Sequence, residues 1–412
     1  MFDVLRVRNF RRFVIGQAVS LTGTWMQRVA QDWLVLELSG NDPIALGTAT
    51  ALQFLPIIFL SLWAGVLADR LNVRKTLMVL QALMGLCALT LGLLDLGGVI
   101  QLWQVYLLCL ALGCLSALDA PIFESFVVEM VGVANVPKAV PLNSMTFNVS
   151  RIVGPALAGA AIGWWGTGWV FLCNAASFAA VVGGLLWTDP RTLHSTPPAQ
   201  RTPGLLLDGL RYVRGRTDLM LFLTLTLVVG TFASFPTSIP LFTTRVIGSG
   251  VGVYGLLSTM LAVGMLIGAT LATLYADKVG NRQRLLLLSS SALGALEVVL
   301  GLMPSVWLFG LMLVGAGIAT TVFVTTAHST IQLSAEPEVR GRVMGLYMLV
   351  LLGGTPIGSP LTGWLADTFG GRAPFAVGGV VTLLTALVCG VLLSFGPRGP
   401  QVKTPAPGTT RV

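Results

Sequence analysis

Long apolar runs alternate with short polar loops along almost the whole chain. Twelve runs are long enough to cross a bilayer, which needs about 20 residues each. They lie near residues 11–37, 45–68, 76–98, 102–124, 141–164, 167–188, 219–242, 252–276, 284–303, 305–329, 342–366 and 373–395. Because a segment in lipid must satisfy its backbone hydrogen bonds internally, each run predicts a helix. The pattern therefore predicts an all-α membrane protein with twelve transmembrane helices.

A hydrophilic stretch, residues 189–218, separates the runs into two sets of six. Its first part is rich in proline and predicts irregular backbone, whereas Leu205–Gly215 has the pattern of a short amphipathic helix. We therefore expect a first six-helix bundle over 1–188, a cytoplasmic linker over 189–218 and a second six-helix bundle over 219–395. The Pro/Gly-rich tail, 396–412, is expected to be disordered.

Two polar loops, after spans 2 and 8, resemble each other. The first reads GVLADRLNVRK from Gly65 to Lys75, and the second reads ADKVGNRQR from Ala276 to Arg284. Their acidic residues, Asp69 and Asp277, lie 208 positions apart (277 − 69). Equivalent loops in two similar halves are typical of a duplicated membrane transporter, in which substrate is handled where the halves meet. The repeat predicts two pseudo-symmetric bundles.

Composition excludes a soluble globule. Hydrophobic residues make up 54% of the chain, charged residues 10%, and the mean hydropathy is +0.83, whereas soluble domains carry about 25% charged residues. The five cysteines are odd in number, lie inside apolar runs and have no metal-type spacing, so no metal or other cofactor is expected: Cys87, Cys109, Cys114, Cys173 and Cys389.

The positions of the cations predict the orientation. Of 25 Lys and Arg residues, only Arg245 and Arg372 fall in outer segments if the N-terminus is cytoplasmic, and only Arg28 and Arg151 lie inside spans. The positive-inside rule thus predicts that both termini are cytoplasmic. The same distribution explains the net charge of +8 without a nucleic-acid partner. We expect a monomer in a bacterial-type inner membrane, with the lipid bilayer as its surroundings.

Charged groups inside spans are the next informative set, since each costs about 2.5–3.5 kcal/mol at a helix centre. Span 1 carries a polar stripe at helical spacing, with Asp32 one turn after Arg28; its members are Gln17, Ser20, Thr24, Arg28 and Gln31. This stripe is expected to face a central cavity. Asp32 is the first candidate for proton coupling, and the nearby cation Arg28 would favour its return to the ionised form. The alternative is a fixed Arg28–Asp32 pair on one helix.

Arg151 in span 5 lies near the midplane and needs a polar or acidic partner. Asp119 and Asp32 are the acids within reach, and Asn148 lies on a neighbouring turn. One interpretation is a permanent Arg151–Asp119 pair that joins spans 4 and 5; the other is a site for an anionic or polar substrate. Phe232 and Phe235 in span 7 would add apolar walls to such a cavity. Glu297 in span 9 is also embedded and is expected to face a neighbouring helix or a path to the surface.

The repeated loops predict a cytoplasmic gate. Gly65 allows close helix approach, and Asp69 is placed to accept backbone N–H groups at the start of span 11, near Arg342. By symmetry, Asp277 should face the start of span 5. The nearby cations Arg70, Arg74 and Arg282 complete the gate. The alternative is that Asp69, Arg70, Arg74 and Lys75 only set the topology and form solvated surface pairs.

Span 5 contains GPALAG, Gly154 to Gly159, in which Pro155 bends the helix and the small residues permit close contact. Pro356 marks a comparable bend in span 11.

Together these features resemble the major facilitator superfamily: the 6+6 arrangement, the GxxxDRxxxRK loop with its copy, and GPALAG. Within it, three strings resemble a branch of enterobactin-exporter-like and macrolide-efflux-like proteins: SLTGTWMQRVAQDWLVLELSG, ALDAPIFESFV and LNSMTFNVSRIVGPALAG. The resemblance implies a conformational role for the Asp69 loop. It also implies that Gly154, Pro155 and Gly159 belong to a motif associated with proton-driven export.

The sequence gives little support for an enzyme. GVGVYG, Gly250 to Gly255, formally matches a dinucleotide-binding pattern, but it enters a membrane helix and is interpreted as chance. No phosphate-binding loop is visible, so an ion gradient is the expected energy source. We predict a proton-coupled exporter (antiporter) of small amphiphilic molecules, such as drugs or siderophore-like metabolites, that works by alternating access. The alternatives are a facilitator or importer of a metabolite or lysolipid, and a non-transporting membrane sensor or assembly protein.

Overall fold

The computed structural model describes residues 4, 8–188, 193–194, 205–275 and 281–395, without the side chains of 8, 61–70, 205–208 and 395. The long elements in these ranges are helices. They are α1 (Arg8–Ser39), α2 (Pro43–Arg70), α3 (Val73–Leu96), α4 (Leu102–Val131), α5 (Val136–Trp165), α6 (Thr167–Leu186), α7 (Leu205–Arg214), α8 (Thr217–Phe232), α9 (Phe235–Phe242), α10 (Val251–Tyr275), α11 (Arg282–Leu302), α12 (Val306–Ser334), α13 (Arg340–Phe369) and α14 (Ala373–Phe395).

The helices follow the predicted spans. Spans 1–6 are α1–α6, span 7 is α8 with α9, and spans 8–12 are α10–α14. The predicted linker helix is confirmed as α7. In the described residues, 10 helices are long and apolar enough to cross a membrane. Helices α1 and α5, with 32 and 30 residues, also have the length but are not among these ten; they carry the embedded arginines Arg28 and Arg151. The all-α membrane fold is confirmed.

Two groups of helices pack side by side. Helices α1–α6 form the first group, and α8–α14 form the second, with α7 against α13. Glycines let neighbouring backbones approach within a group, as expected where lipid supplies no hydrophobic driving force between helices. A Cβ built on Gly294 of α11 would lie 2.8 Å from the carbonyl oxygen of Gly379 in α14. Gly264 of α10 faces the carbonyl of Val314 in α12 in the same way.

The two groups meet along two helix pairs, α2 with α13 and α5 with α10. Gly47 of α2 packs against the carbonyl of Ser359, and Gly363 of α13 packs against the carbonyl of Pro43. We call the face that carries α7 and the start of α13 the linker side, and the other face the opposite side. These contacts lie at the start of α2 and the end of α13, and so belong to the opposite side.

Local signals in the repeated loops are the same in both halves. Asn72 is the N-cap of α3, where its Oδ1 accepts the N–H of Lys75 at 3.0 Å. Asn281 is the N-cap of α11, where its Oδ1 accepts the N–H of Arg284 at 3.0 Å. Asparagine is a preferred N-cap because its side chain satisfies a free amide of the first turn. The internal repeat therefore extends to the atoms that start the third span of each group.

Span 7 is broken. Helix α8 ends at Phe232, and α9 starts at Phe235 after Ala233 and Ser234, which lie outside the helical region of backbone conformation. Pro236 has no N–H, so the carbonyl of Phe232 cannot form its usual helical hydrogen bond. The break therefore exposes a backbone acceptor in the interior of the second group.

Candidate functional site

Asp32 of α1 is bound across the two helix groups. Its Oδ2 accepts a hydrogen bond of 2.7 Å from the hydroxyl of Tyr254 in α10. Both side chains are buried, at 8% and 3% exposure. No ion pair within 4.0 Å joins Asp32 to Arg28 in the described part of the chain. The fixed Arg28–Asp32 pair that the sequence left open is therefore absent, and the partner of Asp32 comes from the other half of the chain.

The two embedded arginines lie against aromatic rings. The guanidinium of Arg28 is 4.5 Å from the ring centroid of Trp25, and that of Arg151 is 5.9 Å from the ring centroid of Phe147. The two rings contact each other edge to face, with centroids 5.7 Å apart. We call Trp25, Arg28, Phe147 and Arg151 the arginine–aromatic cluster. It joins α1 to α5 and places two cations next to apolar surface.

The interpretation of Arg151 and Asp119 as a permanent pair is wrong. Oδ1 of Asp119 instead accepts a hydrogen bond of 2.9 Å from Nε2 of Gln81 in α3. Nε of Arg151 is buried and has no hydrogen-bond partner. Because an unmet buried donor costs about 1–3 kcal/mol, Arg151 is a natural binding group for an acceptor that enters from outside the protein.

The polar stripe of α1 makes contacts with several helices. Gln31 donates from Nε2 to Oε1 of Gln53 in α2 at 3.1 Å, while Oε1 of Gln31 and Oε1 of Gln17 are buried without partners. Thr24 is half-buried. Asn148 is turned back on its own helix, where it donates to the carbonyl of Ser144 at 2.8 Å. The stripe thus offers two unmet acceptors on α1, in addition to the unmet donor of Arg151 on α5.

The aromatic residues of span 7 are placed in packing contacts. Phe235 is 3% exposed and lies against Phe375 of α14, with ring centroids 6.5 Å apart. The backbone and Cβ of Phe232 face Gly378, also in α14. Phe235 therefore belongs to the core of the second group and does not form a cavity wall as expected. The reason is the break in span 7, which changes the rotational position of α9 relative to α8.

The α5 motif forms part of the contact between groups. Gly154 faces Cβ of Trp25, so its missing side chain allows α1 to approach α5. A Cβ on Gly159 would lie 3.3 Å from Cα of Gly252, and one on Gly255 would lie 2.5 Å from the carbonyl oxygen of Pro155.

The string 250–255, interpreted from sequence as chance, therefore supplies the glycines that meet the motif, as well as Tyr254. Its glycines three residues apart are the signal that could have revealed a helix-packing face.

Arg245 joins the groups at the opposite side. Its Nε donates to the carbonyl of Asn41 at 3.2 Å, in the turn between α1 and α2. The same guanidinium donates to the carbonyl of Ala366 at 3.3 Å and lies 3.6 Å from Asp367, near the end of α13. Closer to the middle, the hydroxyl of Thr237 donates to that of Thr50 at 3.4 Å. The opposite side is thus closed by polar contacts as well as glycine packing.

The predicted linker-side gate is only partly described. The side chains of Asp69 and Arg70, the packing around Gly65 and all of Asp277 lie outside what the structure describes. Arg342 lies near the start of α13, where Gly209 of α7 packs against it. Arg282 is the first residue of α11 and is half-buried.

Arg74 is neither a solvated surface group nor a contact between groups. Its Nε and one terminal nitrogen donate to the carbonyl of Leu185 at 2.9 and 2.7 Å, and that nitrogen also reaches the carbonyl of Leu186 at 3.0 Å. These carbonyls lie at the end of α6, where a cation complements the helix dipole. Arg74 therefore ties α3 to α6.

A cleft of about 410 Å³ lies between α1, α5 and α6. Its lining includes Val19, Leu157 and Cys173, all of which are exposed. It contains neither Asp32 nor the arginines, so its volume does not mark the polar site. Among the described residues, no group of His, Cys, Asp and Glu side chains is arranged to hold a metal ion.

The sequence profile of the family described as transmembrane secretion effector matches residues 1–398. The staphyloferrin A transporter of Staphylococcus aureus is 25% identical over 378 residues, which cover 89% of this chain and 91% of that protein. Macrolide efflux protein A of Streptococcus pyogenes is 23% identical over 388 residues, covering 91% and 93%. The crystal structure of the nucleoside transporter NupG superposes with a TM-score of 0.76 at 14% identity over 94% of this chain and 100% of that one, a likeness of fold.

Proposed function

Because the chain belongs to the transmembrane secretion effector family of the major facilitator superfamily and is a multi-pass membrane transporter, we propose that it exports small amphiphilic molecules in exchange for protons. The two helix groups, 1–188 and 219–395 with the linker 189–218 between them, would rock about the contacts of α2 with α13 and α5 with α10. The polar site between α1, α5 and α10 would then open to each side in turn. The linker side is the cytoplasmic one, since most cations fall there.

One observation carries the proton coupling: the hydrogen bond from Tyr254 to Asp32 joins the two groups. An ionised carboxylate accepts a charge-assisted hydrogen bond, which is roughly twice as strong as one between neutral groups. Loss of the proton from Asp32 therefore strengthens the closed opposite side. Proton binding weakens the same contact and so changes the balance between the arrangement whose opposite side is closed and the one whose opposite side is open.

This relation gives a transport cycle. With Asp32 ionised and no cargo bound, the bond to Tyr254 keeps the opposite side closed, so the empty protein does not return outward and leak protons. Cargo that enters from the cytoplasm must displace this contact before the opposite side can open. After cargo has left, Asp32 takes up a proton from outside. The neutral carboxyl group can be buried between the helix groups without the cost of an isolated charge, so the protonated protein can close its opposite side again. Proton release to the cytoplasm restores the first state.

The cargo is inferred from the groups that lack partners. Arg151 offers a buried N–H, and its guanidinium lies against the ring of Phe147. Gln17 and Gln31, which lie on either side of Trp25 along α1, offer buried carbonyl oxygens. These groups suit a molecule with an apolar surface and at least one anionic or hydrogen-bond-accepting group. The cargoes for which two relatives are named, staphyloferrin A and a macrolide, are consistent with drugs or siderophore-like metabolites.

The test uses the purified protein in liposomes with an imposed pH gradient. A macrolide, staphyloferrin A and an anionic fluorescent dye serve as probes. We expect gradient-driven movement of at least one probe, abolished by a protonophore and by Asp32→Asn. Glu338→Asn, at an exposed position between α12 and α13, is the matched control. Movement that is insensitive to both the protonophore and Asp32→Asn would show a facilitator instead, and no movement of any probe would favour a sensor or assembly role.

A further inference from the structure

Glu297 of α11 is a buried acid that the transport cycle above does not use. It is 1% exposed, and its Oε2 has no hydrogen-bond partner. An isolated carboxylate in an apolar interior is costly unless a cation or a proton neutralises it. A specific neutralising group must therefore be present at Glu297.

The surroundings of Glu297 are set by Gly378 and by the break in span 7. The position of a Cβ on Gly378 would lie 3.2 Å from the carbonyl oxygen of Phe232 and 3.7 Å from Oε2 of Glu297. The absence of a side chain at Gly378 thus leaves the carboxyl group and the carbonyl oxygen on either side of one small space. Because the residue four positions after Phe232 is Pro236, this carbonyl has no helical N–H partner.

Among the described residues, no cation forms an ion pair with Glu297; Arg372, whose carbonyl lies against Gly301 one turn away, is exposed. The helices packed against α11 are α12 and α14, and α8 ends at the same break. Their titratable or charged side chains are His328 in α12, Cys389 in α14 and Asp218 in α8. All three lie toward the linker-side ends of their helices, several turns from Glu297. On α11 itself the charged groups are Arg282 and Arg284, in its first turn.

The polar atoms present fit a proton better than a metal ion. Sites for hard cations in proteins use about six oxygen ligands, whereas the described residues arrange no group of His, Cys, Asp and Glu side chains for a metal ion. Gly378 brings the carbonyl of Phe232 close to the carboxyl group. A protonated carboxyl group has one O–H to donate and so matches a single unmet carbonyl. Thr382 lies one turn from Gly378 toward the linker side, and its hydroxyl is also buried without a partner. Ser290 of α11, two turns from Glu297, is a further buried hydroxyl.

We propose that Glu297 is a second proton-binding site of the transport cycle, located in the second helix group at the break between α8 and α9. It takes up a proton from the linker side along Thr382 and Ser290, and in the arrangement described here the carboxyl O–H faces the carbonyl of Phe232. When the break changes conformation and the carbonyl moves away, the proton is released and the carboxylate is left ionised. The inference rests on the proposed proton-coupled function, but its site is independent of Asp32.

The test is infrared spectroscopy of the purified protein in lipid nanodiscs at neutral pH, with exchange from water to deuterium oxide. We expect a protonated carboxyl band that is lost in Glu297→Gln, retained in Asp32→Asn and unchanged in the exposed control Glu338→Gln. Glutamine keeps the shape of the protonated acid and can donate to the carbonyl of Phe232, so this variant is expected to fold. Glu297→Asp, which keeps the acid but shortens its reach, is a second variant that should keep a shifted band.

Transport in liposomes separates a coupling site from a structural one. The Glu297→Gln variant is expected to let a macrolide or dye probe equilibrate across the liposome membrane. It should not accumulate the probe when a pH gradient is imposed. A band that survives in Glu297→Gln would overturn the proposal, and so would loss of the band with gradient-driven accumulation intact. If Asp32→Asn keeps full accumulation while Glu297→Gln loses it, coupling at Asp32 fails and the site at Glu297 stands.

Discussion

Arg245 donates a hydrogen bond from Nε to the backbone carbonyl of Asn41, 204 residues away in the chain, at 3.2 Å. The acceptor belongs to the turn between α1 and α2, and the donor follows α9, so the bond joins the two helix groups. Asn41 has a positive φ of 64°, a backbone conformation found in tight turns. This contact, together with that of Arg245 to the end of α13, holds the opposite side shut.

Removal of the Arg245 contacts should therefore shift the protein toward an open opposite side. Hydrogen bonds to charged groups contribute about 1.5–3 kcal/mol, so Arg245→Ala should change the ratio of the two arrangements by roughly tenfold or more. The measurement is the distance distribution between spin labels at the exposed positions Glu37 and Phe369, in a cysteine-free background. Arg372→Ala, exposed on the same side, should leave the distribution unchanged. Equal distributions in both variants would contradict the role given to Arg245.

The bond between Tyr254 and Asp32 should prevent leakage of protons by the empty transporter. Tyr254→Phe removes the hydroxyl and keeps the ring, so the packing of α10 is preserved while the ionised Asp32 loses its donor. We expect proton flux without cargo, measured with a pH-sensitive dye enclosed in liposomes. Tyr106→Phe, whose hydroxyl makes a 3.4 Å contact with Ala45 within the first group, is the control. If both variants are equally tight to protons, the bond does not serve this purpose.

Gly154 should be required for the packing of α1 on α5. A Cβ at this position would meet Cβ of Trp25. Because Cβ of Trp25 is attached directly to the backbone, it cannot move aside as the end of a long side chain can. Overpacking of this kind typically costs about 1–3 kcal/mol, so Gly154→Ala should lower the thermal stability in detergent and weaken the arginine–aromatic cluster. Gly163→Ala, with open space around it in the same helix, should have little effect. A thermal midpoint for Gly154→Ala equal to that of the control would contradict this packing.

Arg151 should contribute directly to cargo affinity. Its unmet Nε makes a new hydrogen bond possible, and a charged bond contributes about 1.5–3 kcal/mol, so Arg151→Ala should weaken binding roughly tenfold to a hundredfold for anionic probes. Arg151→Lys should recover part of the loss, since the charge remains but the planar donor group does not. Binding can be followed by quenching of tryptophan fluorescence, because Trp25 belongs to the arginine–aromatic cluster. The control is Arg211→Ala on the exposed face of α7.

A uniform loss of affinity for neutral and anionic probes in Arg151→Ala would indicate a structural effect. A loss confined to probes that carry an anionic group would support direct binding. The thermal midpoint of the same variant decides between general destabilisation and a local change.

Much of the fold could be predicted from sequence because its causes are local. In a bilayer, a long apolar segment satisfies its backbone hydrogen bonds by forming a helix. The spans and their order therefore follow from the pattern of apolar runs along the chain. The N-cap residues Asn72 and Asn281 act within one turn, and the amphipathic helix α7 is defined by its own pattern. The repeat of the two loops was visible for the same reason, and it indicated two similar halves before any contact was known.

The partners of the buried charges could be established only by the tertiary structure. Sequence proximity suggested Arg28 for Asp32 and Asp119 for Arg151, yet Asp32 binds Tyr254, 222 residues away, and Asp119 binds Gln81. In lipid the apolar residues surround most of each helix, so the sequence does not determine how a helix is rotated or which neighbour it touches. That choice depends on close glycine contacts such as Gly255 with Pro155 and on the break in span 7, which exist only when all the helices are packed together.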